Sequence, residues 1–136
     1  MVIVDVVKAL GNRTLKGCVY MYDNNRLNGS TGEGTEELSP LLLLPEADED
    51  ISNIGMAWNI MPLDPEAFAE LACVEVDAEY MDVNREVYAG SDVAYWTGWV
   101  KKPFEELSCK LYIRLGNSKK ALQHNFKIRG KNIEKK

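Results

Sequence analysis

From Leu107 to Leu115 every second residue is apolar: Leu107, Cys109, Leu111, Ile113 and Leu115 alternate with polar neighbours. From Cys73 to Ala78 apolar positions alternate with acids. Two-residue alternation places all apolar side chains on one face of a strand, so both stretches predict half-buried strands. Val2–Val7 is a β-branched run and reads as a first strand, although Ala9-Leu10 behind it would tolerate a helical turn. Leu15–Tyr22, Leu41–Leu44, Gly55–Met61 and Val93–Val100 read as further strands, with Trp58 and Ile60 sharing a face. Met81–Tyr88 fits a strand or an ordered loop, and Asn125–Ile128 a last short strand. Turn residues separate them at Gly11-Asn12-Arg13, Pro62-Leu63-Asp64-Pro65, Gly90-Ser91-Asp92, Lys101-Lys102-Pro103 and Gly116-Asn117-Ser118. The one helix-like piece is Pro65–Ala72, with Asp64 as cap and Pro65 at the first helical position. It offers only about two turns, so a single turn leading into a strand fits equally well. Short strands, Gly/Pro/Asn turns and no long amphipathic helix predict an all-β fold: an antiparallel, jelly-roll-like β-sandwich with little helix.

Composition narrows this picture without changing it. A chain of 136 residues is one domain by length, read as residues 1–128 followed by a basic tail at 129–136. Hydrophobic residues at 46% and charged residues at 27% describe an ordinary globular chain. No apolar run approaches the ~18 residues of a membrane span, and the N-terminal stretch is broken by Asp5 and Lys8. Neither a membrane partner nor a signal peptide is read, and the expected location is the cytoplasm. The three cysteines, Cys18, Cys73 and Cys109, form no paired framework and read as buried thiols in a reducing compartment. With His124 the sole histidine and no ligand pair at zinc spacing, no metal is expected.

Charge is unevenly placed. Residues 119–136 carry seven Lys/Arg against Glu134, a balance of +6, so the rest carries −11 within a net −5. A body that acidic disfavours nucleic acid, whose phosphates need a basic face. The cluster Glu46, Asp48, Glu49 and Asp50 lacks the register of a calcium loop and reads as a solvated turn.

The stretch with binding chemistry is Tyr20–Leu38. An aromatic strand leads into a polar run holding Asp23, Asn24, Asn25, Arg26 and Glu33, with Gly29, Gly32 and Gly34 giving it freedom to fold back. The run ends without the Lys-Ser/Thr of a phosphate loop and precedes no clear helix. No serine sits in a Gly-x-Ser-x-Gly elbow, His124 lies near the terminus, and no two carboxylates stand out for glycoside hydrolysis. The chain is therefore read as a non-enzyme without a cofactor. Trp96 and Trp99 have opposite parity, so a regular strand sends one into the core and exposes the other. An exposed tryptophan beside Asp and Asn suits a sugar, the ring stacking on its C–H face while carboxylate and amide meet its hydroxyls. We take Asp23, Asn24, Asn25, Arg26, Glu33 and Trp99 as candidate ligand-binding residues. Against this stands a structural role, in which the loop's Asn and Asp side chains bond local backbone.

Several motifs together resemble the bacterial inclusion-body protein family of the PixA/AidA type. They are Tyr20-Met-Tyr-Asp-Asn leading to Gly32-Glu-Gly-Thr-Glu-Glu-Leu38, then Trp58, Leu63-Asp64-Pro65, Trp96-Thr-Gly-Trp-Val100 and Leu111-Tyr112-Ile113. The resemblance spans roughly residues 2–128. Leu41–Gly55 replaces a shorter turn, and the closing motif stands here as His124-Asn-Phe-Lys-Ile128. It implies a β-sandwich that accumulates in the cell or is released without a signal peptide, and a lectin-like binder of a small sugar or glycan. The other function it leaves open is a storage or stress-associated protein without a ligand. Self-association, most simply as a dimer, is expected from the apolar strand candidates Val2–Val7 and Leu41–Leu44 and from the aromatic content. The contact should be apolar and away from the acidic turn, with the +6 tail able to reach a partner's acidic body.

Overall fold

A computed structural model describes residues 1–21, 41–43 and 54–130. Within them the fold is all-β, with one short helix. The first strand, β1, is Val2–Val4, and helix α1 is Val6–Asn12. The β-branched run is thus not one strand. Asp5 ends it, because its side chain accepts the Lys8 N–H at 3.1 Å and caps a helix. The helix places Val6 and Ala9, three residues apart, in the core, which outweighs the strand preference of valine. It stops at Arg13, which adopts a left-handed φ of 58° and donates its N–H to the Ala9 carbonyl.

The next strands are β2 (Val19–Met21), β3 (Leu41–Leu43), β4 (Gly55–Trp58) and β5 (Ile60–Pro62). Gly55–Met61, expected as a single strand, divides at Asn59. β4 and β5 enter different sheets, and the Asn59 carbonyl accepts the Val2 N–H at 2.7 Å. Residues 63–68 form a turn, closed by the Ala67 N–H on the Asp64 carbonyl at 2.9 Å, not a helix. Then come β6 (Ala69–Glu75), β7 (Met81–Val87), β8 (Ala94–Val100), β9 (Glu106–Leu115) and β10 (Ala121–Gly130). β10 is much longer than the short strand expected at 125–128, and it takes Arg129 and Gly130 into the sheet.

The strands form three sheets: β2–β1–β5, β3–β10–β9–β6 and β4–β8–β7. Most pairs are antiparallel; β1 with β5 and β10 with β3 are parallel. β1 is the centre of its sheet, paired on both sides, so Val2–Val4 is not the open edge that its apolar sequence suggested. β9 and β10 face each other residue for residue, with Leu111 opposite His124, Cys109 opposite Phe126 and Leu107 opposite Ile128. The alternation from Leu107 to Leu115 buries all five predicted residues. His124 lies on this inner row between Leu122 and Phe126 and is buried, since the strand continues six residues beyond it. The outward row carries ion pairs, Arg114 with Glu70, and Lys127 and Arg129 with Glu106.

One core joins the three sheets and α1. Leu111, Ile113 and Ile128 come from the largest sheet, Trp58, Met81 and Val100 from the β4–β8–β7 sheet, Val2, Val4 and Val19 from the third, and Val6 from the helix. Each such side chain, once fully buried, contributes about 1.5–3 kcal/mol of transfer free energy. Two contacts fix the β4–β8–β7 sheet against the largest one. The Trp58 ring meets Phe126 edge to face at a centroid distance of 6.3 Å. The Trp96 indole N–H donates to the Leu71 carbonyl at 3.1 Å, beside the point where β6 slips register between Leu71 and Cys73.

Candidate functional site

The site begins with the parity of β8. Trp96, Gly98 and Val100 face inward, and Tyr95, Thr97 and Trp99 face outward. Crowding on the inner side explains Gly98: a Cβ there would fall 2.6 Å from Met81 Sδ and 3.0 Å from Trp58 Cη2. The outward side is open, and Trp99 is 48% exposed. Its six-membered ring leans over Gly55 of the neighbouring strand, where a Cβ would lie 2.6 Å from Cε3 and 2.8 Å from Cζ3. Glycine at position 55 is thus what lets the indole lie against the sheet instead of standing away from it.

Strand pairing then assembles a face around Trp99. Across β8, Asp82 of β7 is opposite Trp99, and Trp99 is opposite Gly55 of β4. The next outward row is Asn84, Thr97 and Ala57. In the third, Glu86 lies opposite Tyr95. Directly opposed side chains have Cβ atoms about 4.5–5.5 Å apart, so each aromatic on β8 has a polar neighbour within reach on β7. At the far end Tyr88 crosses the sheet. Its ring packs on Tyr95 at 4.5 Å and 34°, and its hydroxyl donates to Asn59 Oδ1 at 2.8 Å. The result is a shallow slot along β8. Its floor is Asn84, Thr97 and Ala57; Trp99 bounds one end and the Tyr88–Tyr95 pair the other. The Cα atoms of Tyr95 and Trp99, four residues apart in a strand, are separated by about 13 Å.

Asp82, Asn84 and Glu86 are exposed, and no Lys or Arg occupies an outward position in these three rows. Neither carboxylate forms an ion pair among the described residues. The face therefore offers aromatic surface, carboxylate acceptors and an amide; its outward rows hold no cation, and Arg85, exposed on the same strand, stands in the alternate row opposite Trp96. The Thr97 hydroxyl in the floor is covered and has no hydrogen-bond partner among the described residues.

Other chemistry is poorly provided for. The three thiols are free; Cys18 and Cys109 are buried, whereas Cys73, expected in the core, is half-buried. Burial pushes all three thiols up, Cys109 to about 12, away from the thiolate a nucleophile needs. Among the described residues no group of three or more His, Cys, Asp or Glu is placed to hold a metal ion. Among them, too, no helix is long and apolar enough to cross a membrane.

Of the candidates read from the sequence, Trp99 stands on this face, and Asp23, Asn24, Asn25, Arg26 and Glu33 lie outside the described residues. The segment that holds them follows β2 in the chain after Met21. Met21 pairs with Val2, and Val2 with Ile60, the residue after Asn59. Two strand spacings, about 10 Å, therefore separate Met21 from Ile60, the neighbour of the Asn59 that holds the Tyr88 hydroxyl. Sequence reasoning missed Asp82, Asn84, Glu86 and Tyr88. Their signal was the polar residue at every even position from 82 to 86, but only the pairing of β7 with β8 sets them beside Trp99.

The described residues define an all-β protein with an open aromatic and acidic face on one sheet. The chain belongs to the family of DUF8788, a domain of unknown function, whose family model matches residues 1–121. No curated protein matches it.

Proposed function

We propose that the protein is a non-enzymatic binder of a small sugar or short glycan, held on the outward face of β4–β8–β7. The observation that carries this reading is the exposed Trp99 ring over Gly55 with Asp82 directly opposite. An apolar ring face beside a carboxylate matches a sugar, which has an apolar C–H face and hydroxyl donors at its rim. Asn84 and Glu86 continue the polar row along the slot, and the Tyr88–Tyr95 pair closes it at a distance that admits a ring or two. With two carboxylates and no cation in its outward rows, the sheet face by itself favours neutral glycans, and Arg26 is the one candidate that would bring a positive charge. The resemblance to PixA/AidA-type proteins points the same way, and the loop carrying Asp23, Asn24, Asn25, Arg26 and Glu33 starts close enough to contribute.

A storage or stress-associated role without a ligand is the competing reading, favoured by the Tyr88–Asn59 hydrogen bond, which also braces the sheet. A glycan array separates the two. The binding reading expects neutral glycans to be retained by the wild type, lost by Trp99→Ala and weakened by Asp23→Ala, both variants melting as the wild type does. An array without hits, with Asp23→Ala lowering the melting temperature, supports the structural role.

A further inference from the structure

Helix α1 has a second apolar side that the core does not use. Val6 and Ala9 are buried, but Val7, 65% exposed, and Leu10 lie on the adjoining arc and face outward with Gly11. Two neighbouring segments extend this surface. The Val7 N–H donates to Asp64 Oδ2 at 3.3 Å, which holds the β5–β6 turn beside the first half of the helix. A shallow recess there is lined by Val7, Asp64, Pro65, Glu66 and Ala67. At the other half, Leu10 Cδ1 lies 3.9 Å from where a Cβ on Gly116 would stand, and the Gly116 N–H donates to the Phe68 carbonyl at 2.9 Å. Val7, Leu10, Leu63 and Phe68 are all exposed. Exposed apolar side chains gathered on one helix and on the turn held against it are surface of the kind that interactions use.

Lys8 turns its Nζ to the Gly17 carbonyl at 3.4 Å, and the other charges around the patch are sorted by sign. Asp64 and Glu66 sit beside Val7. Arg13 ends the helix beyond Leu10, and Lys119 and Lys120 follow Gly116 in the β9–β10 turn. None of the five forms an ion pair among the described residues. The patch thus runs from an acidic end to a basic end along α1. Such a surface complements itself when turned by half a revolution: the acidic end of one copy meets the basic end of the other, and the apolar centres coincide.

We propose that two copies of this chain pair through α1, the helices antiparallel about a two-fold axis, with Val7, Leu10, Leu63 and Phe68 at the centre. A two-fold contact must be self-complementary, and a charge pattern reversed from end to end meets that condition. The aromatic slot on β4–β8–β7 takes no part in this contact.

The test is sedimentation of the full chain at micromolar concentration, in low and high salt. The expected mass is twice the 15.3 kDa of the chain, with dissociation rising as salt screens the rim. Val7→Glu should yield a monomer with unchanged circular dichroism, because the side chain it replaces is exposed. Glu66→Lys should weaken the dimer about threefold or more at low salt, and adding Lys120→Glu in the same chain should restore it. A monomer at every concentration up to several hundred micromolar overturns the proposal, as does a dimer indifferent to Val7→Glu. A dimer that responds to Val7→Glu but not to charge reversal or salt overturns the antiparallel pairing. The charge-reversal pair keeps the test decisive if Val7→Glu fails to fold.

Discussion

Trp58 and Trp99 belong to the same small sheet, and each lies against a glycine of the adjacent strand. Trp58 packs over Gly98 on the inner face and is 2% exposed; Trp99 leans over Gly55 on the outer face and is 48% exposed. The construction is alike, but the surroundings differ. Around Trp58 stand Met81 and Phe126, so its large surface is removed from water and holds two sheets together. Around Trp99 stand Asp82, Asn84 and Thr97, and half of its surface remains in water. Exposure of a large indole is unfavourable for stability compared with burial. The inner tryptophan explains the fold, and the outer one requires an explanation outside it. The proposed function supplies one: the apolar face of a bound ligand.

The sharpest way to break the comparison is to truncate the inner ring. Trp58→Ala should cost about 3–5 kcal/mol in urea unfolding, as large core aromatics do. Trp58→Phe should cost under about 1.5 kcal/mol, because it keeps much of the volume and removes an indole N–H that has no hydrogen-bond partner among the described residues. Equal losses for both variants would mean that Trp58 does not fill the core as described.

The two glycines come next. Gly98→Ala drives a methyl into Met81 and Trp58 and should destabilise by about 1–3 kcal/mol. Gly55→Ala meets the exposed Trp99 ring, which can swing into solvent, and the Gly98 carbonyl oxygen at 3.0 Å, so it should cost less than Gly98→Ala, about 1 kcal/mol or under. Ligand binding should fall, since the ring no longer lies on the sheet. If the two substitutions cost the same, the two faces are not as different as the comparison holds.

The inner face also has a pH signature. Burial holds the Cys109 thiol at about 12, above the ~8.5 of a free thiol. A raised folded-state value means that the folded form retains its proton while the unfolded form has lost it. This contribution is present below about pH 8.5 and is lost progressively up to about pH 12. Thermal melts from pH 8 to 11 should show a steeper alkaline decline for the wild type than for Cys109→Val. Parallel curves would contradict the burial of that thiol.

The fold was legible where one physical signal dominated. The alternation along β9 has no competing reading, and the parity of Trp96 and Trp99 followed from strand geometry once Gly98 kept the strand regular. Legibility failed where a local interaction overrode propensity. A single Asp5 side chain turned Val6–Asn12 into a helix, and Asn59 split one apparent strand between two sheets. The length of β10 was hidden because its first half, Ala121-Leu-Gln-His-Asn, has weak strand character and is held by its partner β9. Most of the site was illegible for a related reason. Asp82 and Glu86 look like solvated charges until β7 is paired with β8, and pairing register across a turn is a tertiary property.

The smallest expected effect on stability and the largest on function fall on the same residue. Trp99→Ala should melt within about 0.5 kcal/mol of the wild type, as exposed substitutions do. The direct measurement is calorimetric titration of wild type, Trp99→Ala and Asp82→Ala with the neutral oligosaccharides retained most strongly on a glycan array. The account predicts saturable binding by the wild type, weakened at least about tenfold in each variant, or about 1.4 kcal/mol, with all three folded. Absence of binding by the wild type, or equal affinity in Trp99→Ala, would contradict it.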